Sequence, residues 1–164
     1  MDLQALEELK QLKYRYLRTL DTKDWDGFAE TLAEDATADY GERLSFTGRD
    51  AITAYMRKTL TPAIITVHHV HHPEISVDGD RATAVWALDD TVVVTEHRLL
   101  LRGAAHYADR YERGADGAWR IAHTGYRRLY EAMVSLDDVP SWALTANRWA
   151  APASKDAPET APAD

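Results

Sequence analysis

The hydrophobic period of this chain changes at Pro62, and that change limits the folds open to it more than any other feature. Before it, Leu3, Leu6, Leu9, Leu12, Tyr16, Leu17 and Leu20 recur at helical spacing. They predict a first helix of about five turns with one apolar stripe. Asp21-Thr22-Lys23-Asp24 reads as a break with a cap, because short polar side chains bond the free amides of a helix start. A second helix, roughly Trp25 to Ala33, would bury Trp25, Phe28, Ala29 and Leu32. Ala36 to Tyr40 reads as a short strand, and Gly48-Arg49-Asp50 opens a third helix with Ile52, Tyr55, Met56 and Leu60 inward. After Pro62 the period is two. Thr66 to Val77 ends at the turn Asp78-Gly79, Ala82 to Thr95 and Leu99 to Arg113 follow, and Asp116-Gly117 turns into Trp119 to Tyr130. Consecutive long strands joined by hairpins are antiparallel. Helices first and a meander afterwards predict an α+β fold, with three N-terminal helices against one face of a curved antiparallel sheet.

The 164 residues are expected to form one domain over 1–150, large enough for a real core. Residues 151–164 are Ala, Pro and Asp-rich, too poor in apolar bulk to pack, and are expected to be disordered. A formal net charge of −8 without a dense Lys/Arg run argues against nucleic acid and anionic membrane as partners. With no cysteine, disulfides, thiolate metal sites and thiol nucleophiles are excluded. The N-terminal stretch is charged and amphipathic, unlike a signal peptide or a membrane span, so a cytoplasmic location is the expectation.

Four of the seven histidines, His68, His69, His71 and His72, fall in VHHVHHPEI. On a strand His68 and His72 share one face, and His69 and His71 the other, so the four cannot converge on one ion. His69 and His71, about 6.6 Å apart along the strand, would need a third metal ligand. Glu74, His97 and His106 are the candidates, in a spacing that matches no known metal signature. Solvated or hydrogen-bonded imidazoles are the preferred reading, with no metal.

The strand after Gly79 carries a sharper signal. Ala82, Ala84, Trp86, Leu88, Asp90, Val92 and Val94 share one face, and all but Asp90 are apolar. A carboxylate on the inner face of a sheet is costly unless a partner waits for it. The partner is either an inward Arg in a structural ion pair or a substrate. Arg128, alternating with Thr124, Tyr126 and Tyr130, is a candidate. Tyr16 lies at the middle of the first helix's stripe and Asp21 at its end. Their bland readings are a core aromatic with a satisfied hydroxyl and a capping acid.

Together these residues resemble a known family. Tyr16-x4-Asp21 followed by DTKDWDGF, then HHVHHPEISVDGDRATAVWALDD, GAAHYADRYER and DGAWRIAHT, is similar to the SnoaL-like branch of the nuclear transport factor 2-like superfamily. The likeness runs from about Leu3 to Tyr130. It implies a cone of three helices and a strongly bent sheet around one deep pocket. Within the superfamily the chain resembles cofactor-free lyases, above all bile-acid dehydratase, whose site pattern falls on Tyr16, Asp21, His68, Asp90 and Arg128. Scytalone dehydratase is similar in its stretch after the first helix, in a tyrosine at Tyr40 and in the histidine at His68. Its second sheet histidine has no counterpart here, where Asp90 or Val92 stands.

The resemblance implies a β-elimination, most simply loss of water, from a hydrophobic cyclic substrate such as a steroid, polyketide or terpenoid, without cofactor. His68 would be the base, since imidazole exchanges protons near neutral pH. Asp21 would fix its tautomer, as the orienting acid of a triad does. Tyr16 would donate to the substrate, Asp90 would hold or protonate the leaving group, and Arg128 would neutralise Asp90 or bind an acidic part of the substrate. Trp25, Phe28, Tyr40, Tyr55, Trp86 and His106 would line the pocket. Two alternatives stay open, an isomerase or cyclase using the same base, and a non-catalytic small-molecule binder. A homo-oligomer, dimer or trimer, is implied by the same resemblance, with the outer sheet face, Trp142 and Trp149 as contact surfaces. Whether His68 or His69 faces the pocket depends on where a bulge near Pro73 shifts the register.

Overall fold

The structure, a computed structural model, describes residues 2–41 and 44–150. The tail expected to be disordered lies outside them. Helix α1, Leu3–Asp21, starts at Asp2, whose carboxylate accepts from Ala5 N at 3.0 Å. Its stripe buries Leu9, Leu12, Tyr16, Leu17 and Leu20, while Leu3 stays 69% exposed. Lys13 sits on the buried stripe too. Lys23, at φ 57, turns the chain into α2, Trp25–Glu30, where Asp24 caps by accepting from Gly27 N at 3.1 Å.

The second helix is shorter than its apolar pattern suggests. Thr31 donates its hydroxyl to Phe28 O at 2.6 Å, and its own carbonyl accepts from Ile121 N across the sheet. A backbone carbonyl recruited by a neighbouring strand cannot continue a helix. Leu32 and Ala33 therefore begin β1, Leu32–Tyr40. A strand absent from the sequence reading, β2 (Leu44–Thr47), pairs back on β1 before α3, Arg49–Thr59.

Four long strands follow: β3 (Ile64–Asp78), β4 (Arg81–Val94), β5 (Leu99–Arg113) and β6 (Trp119–Ser135), closed by a short 3₁₀ turn, Leu136–Asp138. The six-stranded sheet has the order β2-β1-β6-β5-β4-β3, and the β3-to-β6 meander is antiparallel as expected. One junction differs. β1 runs parallel to β6, pairing Tyr40 with Tyr126, so the sheet is mixed. The α3 crossover brings the chain back to β3 at the far edge, which leaves β6 to close against β1 in the same direction. Register shifts at His71/Glu74, Ala104/Ala105 and Arg110/Tyr111 bend the sheet, as bulges do. α1 packs on β3 and β6, and α3 on β1 and β2.

Strand alternation holds where it matters. Ala82, Ala84, Trp86, Leu88 and Asp90 of β4 are buried, and their β5 counterparts Ala105, Tyr107, Asp109 and Tyr111 are buried opposite them. β6 runs five residues past the expected Tyr130, and Met133 is 67% exposed there. The sheet is thus filled by helices at one end and open at the other.

Candidate active site

The C-terminus of α1 and the start of β3 meet at Asp21 and His68, forty-seven residues apart in sequence. Asp21 accepts three hydrogen bonds: from Thr66 Oγ1 at 2.8 Å, from the His68 backbone N–H at 2.8 Å and from His68 Nδ1 at 2.6 Å. The backbone bond fixes the strand against the helix end, and the side-chain bond fixes the ring. With Nδ1 donating to the carboxylate, the lone pair of the neutral ring lies on Nε2. His68 and Asp21 side chains remain 13% and 20% exposed, so the pair is sheltered yet reachable.

The bulge lies beyond His68 rather than before it. Thr66, His68 and Val70 stay in phase with Val92, Asp90 and Leu88, and His68 faces inward directly opposite Asp90. The left-handed backbone of His72 (φ 47) breaks the alternation at the bulge, so His72 is exposed and does not share the face of His68. His69 and His71 stand on the outer face with ring centroids 6.3 Å apart, and His71 Nε2 lies 3.6 Å from Asp89. Among the described residues no three His, Asp or Glu side chains are placed to hold a metal.

Asp90 is 4% exposed, and Arg128 grips it with two bonds, Nη1 to Oδ1 at 2.5 Å and Nη2 to Oδ2 at 2.8 Å. Arg128 Nε lies a further 3.3 Å from Glu131. Two carboxylates thus occupy the guanidinium, which carries its charge more firmly than usual because Asp90 accepts its hydrogen bonds. Gly103, opposite Asp90 on β5, makes room for this pair: a Cβ there would lie 2.9 Å from Asp90 Oδ1 and clash with the Arg128 guanidinium. The ion pair is the arrangement offered as the bland account of Asp90, and with Glu131 it neutralises the positive charge that an acidic substrate would need.

Tyr16 is also placed differently from its expected role. It is 0% exposed and its hydroxyl is 3.0 Å from that of Tyr40, itself 8% exposed. Burial pushes both phenols well above the ordinary range. Tyr16 therefore backs Tyr40 inside the core and does not face an open site. Among the expected lining residues, Phe28 and Trp86 are 0% exposed and belong to the core, Phe28 with its ring 5.0 Å from that of Tyr16. Trp25 and Tyr55 are half-buried, Tyr55 with its ring 4.5 Å from that of Phe46. His106 is on the wrong side. It pairs with Ala87 on the outer face and is exposed, because it is out of phase with Ala105 and Tyr107.

A buried ionic network went unread in the sequence. Lys13 and Asp109 have side chains at 0% exposure and lie 2.8 Å apart. The approach is an ion pair rather than an aligned hydrogen bond, and the ammonium rests 3.5 Å from the Tyr107 ring centroid. Asp109 also accepts from Tyr111 at 2.7 Å and Thr124 at 2.8 Å, and Trp86 Nε1 donates to Tyr111 at 3.0 Å. Burial lowers the Lys13 ammonium against the pull of Asp109. The parity rule that singles out Asp90 also singles out Asp109, which alternates with Tyr107 and Tyr111. Lys13 lies on the stripe of Leu9, Leu12, Tyr16 and Leu17.

Two clefts of about 420 and 530 Å³ open on the outer face around Ser76, Thr83 and Arg110, and neither is lined by Asp21, His68 or Asp90. The Asp21–His68 site lies instead where α1 ends on the inner face, beside Lys23, which donates to Ile64 O at 2.9 Å and rests 5.1 Å from the Trp149 ring. Ile64, Val92, Val94, Leu99 and Leu101 extend that face as half-buried apolar side chains, where aromatic residues were expected.

A family model described as a SnoaL-like domain matches residues 1–125. The chain belongs to the SnoaL-like family. Solved structures share the fold of this SnoaL-like chain. A candidate scytalone dehydratase of Novosphingobium aromaticivorans has 21% identity and a TM-score of 0.74, over 80% of this chain and 88% of that one. A hexachlorocyclohexane dehydrochlorinase of Novosphingobium barchaimii has 18% identity and a TM-score of 0.73, over 81% and 92%. A Mycobacterium tuberculosis protein of unknown function has 26% identity and a TM-score of 0.69, over 87% and 84%.

Proposed function

We propose that this SnoaL-like protein is a cofactor-independent lyase that removes water by β-elimination from a neutral, hydrophobic cyclic β-hydroxy ketone. The observation that carries the proposal is the Asp21–His68 pair, with Nδ1 held at 2.6 Å and Nε2 left for the substrate. A ring held in one tautomer by a carboxylate is what general-base catalysis requires, because the accepting nitrogen is aimed before the proton moves. The chemistry of two neighbours in fold, a candidate dehydratase and a dehydrochlorinase, is elimination, which supports the same reading by analogy. The substrate's apolar rings would lie along Val92, Val94 and Leu101, beyond the polar end formed by His68 and the Asp90–Arg128 pair.

An isomerase acting through the same base is the second reading, and one observation favours it: Asp90 is engaged by Arg128 on both oxygens, so it is not free to protonate a leaving hydroxyl. Product mass separates the two. Purified protein incubated with a panel of cyclic β-hydroxy ketones should give a product lighter by one water, and stably folded His68→Ala should form it about 10²–10⁴-fold more slowly. Conserved product mass supports isomerisation, and full turnover by His68→Ala or Asp21→Asn overturns the base assignment.

A further inference from the structure

Five tyrosines meet around the inner face of the sheet, and four of them are shut away. Tyr16, Tyr40, Tyr107 and Tyr111 are 0%, 8%, 2% and 2% exposed. The fifth, Tyr126, is half-buried. It follows Thr124 and precedes Arg128 on the inner register of β6, aligned with Tyr107 on one side and Tyr40 on the other. Its ring lies 5.7 Å from that of Tyr107, edge to face, and 6.0 Å from that of Tyr40. The Arg128 guanidinium carbon is 5.0 Å from its centroid. These contacts hold the ring on three sides and leave it at the boundary between the filled core and the open end.

His68 stands opposite Asp90, and Arg128 reaches from β6 across β5 to grip that carboxylate, with the Tyr126 ring packed against its guanidinium. His68 and Tyr126 therefore border the same ion pair from its two sides. Tyr16 does not reach that pair from behind Tyr40.

We propose that Tyr126 is the phenol that touches the substrate, donating its hydrogen bond to the carbonyl oxygen, and that Tyr16 only supports it through Tyr40. The inference rests on the lyase reading. His68 Nε2 takes the proton next to the carbonyl, the C–H electron pair becomes the carbon–carbon π bond of the enolate, and the C=O π pair moves to the oxygen as negative charge. Tyr126 stabilises that charge without giving up its proton. Collapse of the enolate re-forms the carbonyl and expels the β-hydroxyl, which leaves as water with the proton carried by His68. No second acid is needed, consistent with the engagement of Asp90 by Arg128. The guanidinium is neutralised by Asp90 and flanked by Glu131, so the carbonyl partner is a neutral ketone rather than a carboxylate.

Tyr126→Phe and Tyr16→Phe differ from the parent by one oxygen each, and they are compared in turnover of the cyclic β-hydroxy ketones. Loss of a donor to a developing oxyanion lowers kcat by about 10²–10³-fold. That loss is expected in Tyr126→Phe with KM little changed, while Tyr16→Phe keeps kcat near the wild-type value. Equal losses in both variants, or full kcat in Tyr126→Phe, overturn the assignment. If the wild type turns over none of the panel, the lyase reading fails, and 2-tetralone labelled with carbon-13 at its carbonyl decides Tyr126 separately. Its bound carbonyl stretch should fall in frequency in wild type and Tyr16→Phe and return towards the free value in Tyr126→Phe. A stretch unaffected by Tyr126→Phe, or no binding of the ketone, overturns the proposal.

Discussion

Asp90 and Asp109 are two carboxylates on the inner face of one sheet, each paired with a cation, and they behave as different kinds of group. Asp109 and Lys13 are sealed at 0% exposure under α1, with Tyr111 and Thr124 filling the remaining acceptor sites. Asp90 is as deeply placed, but Arg128 is 24% exposed and leads out to the open end beside His68. Position along the strand separates them. Asp109 sits where α1 covers the sheet, and Asp90 where the helices have ended. An inward carboxylate in the filled half organises the core. In the open half, an inward carboxylate fixes the floor of a site.

Divided in this way, the site and the core can be broken independently. The largest effect is expected at His68. His68→Ala should lower turnover by about 10²–10⁴-fold while the folded protein persists, as kinetics alongside thermal melting would show. Lys13→Met reverses the pattern. Removing one partner of a buried pair destabilises by about 3–5 kcal/mol, because the other charge is left alone. Urea denaturation should show that loss, and Lys13→Met combined with Asp109→Leu should recover most of it. Equal stability of the single and double variants would contradict the sealed-pair account.

Alkaline stability sharpens the same contrast. Burial raises Tyr16, Tyr40, Tyr107 and Tyr111 above their ordinary 10.0 in the folded state. Folded protein therefore holds protons that the unfolded chain gives up above pH 10, and this stabilisation is lost as pH rises. Each such group tilts stability downward by about 1.4 kcal/mol per pH unit. Lys13 and Lys23 act in the opposite direction, since burial lowers both from 10.5, but they are two groups against five raised tyrosines, Tyr126 being the fifth. Denaturation midpoints should fall steeply beyond pH 10, and a flat profile would mean that the tyrosine layer is wetter than described. Gly103→Ala should do less, costing about 1–3 kcal/mol from overpacking against the Asp90–Arg128 pair. His106→Ala should be smallest, within about 0.5 kcal/mol and without change in turnover, because the side chain lies outside.

Much of this arrangement was legible in the chain. Period marked the three helices and the four long strands, though not where α2 or β6 ends, and parity placed Asp90, Trp86 and Arg128 on the inner face. The pairing of Asp21 with His68 came from family resemblance, since nothing local connects residues forty-seven apart. What could not be read was depth. Parity says which face a side chain takes, but not whether a helix covers that part of the face, so Tyr16, Phe28 and Trp86 were expected at a pocket and lie in the core. His106 was misplaced by neglecting parity, and the parallel β1–β6 pairing depends on a crossover that no local pattern encodes. Lys13 escaped notice because a lysine on an apolar stripe ordinarily reaches out to solvent.

The central claim is that His68, aimed by Asp21, removes a proton next to a carbonyl. The most direct measurement is exchange of the α-protons of 2-tetralone in heavy water, followed by proton NMR with wild type, His68→Ala and Asp21→Asn. The account predicts enzyme-dependent loss of the α-proton signal in wild type, none above background in His68→Ala, and slower exchange in Asp21→Asn. Exchange by His68→Ala at the wild-type rate would contradict it.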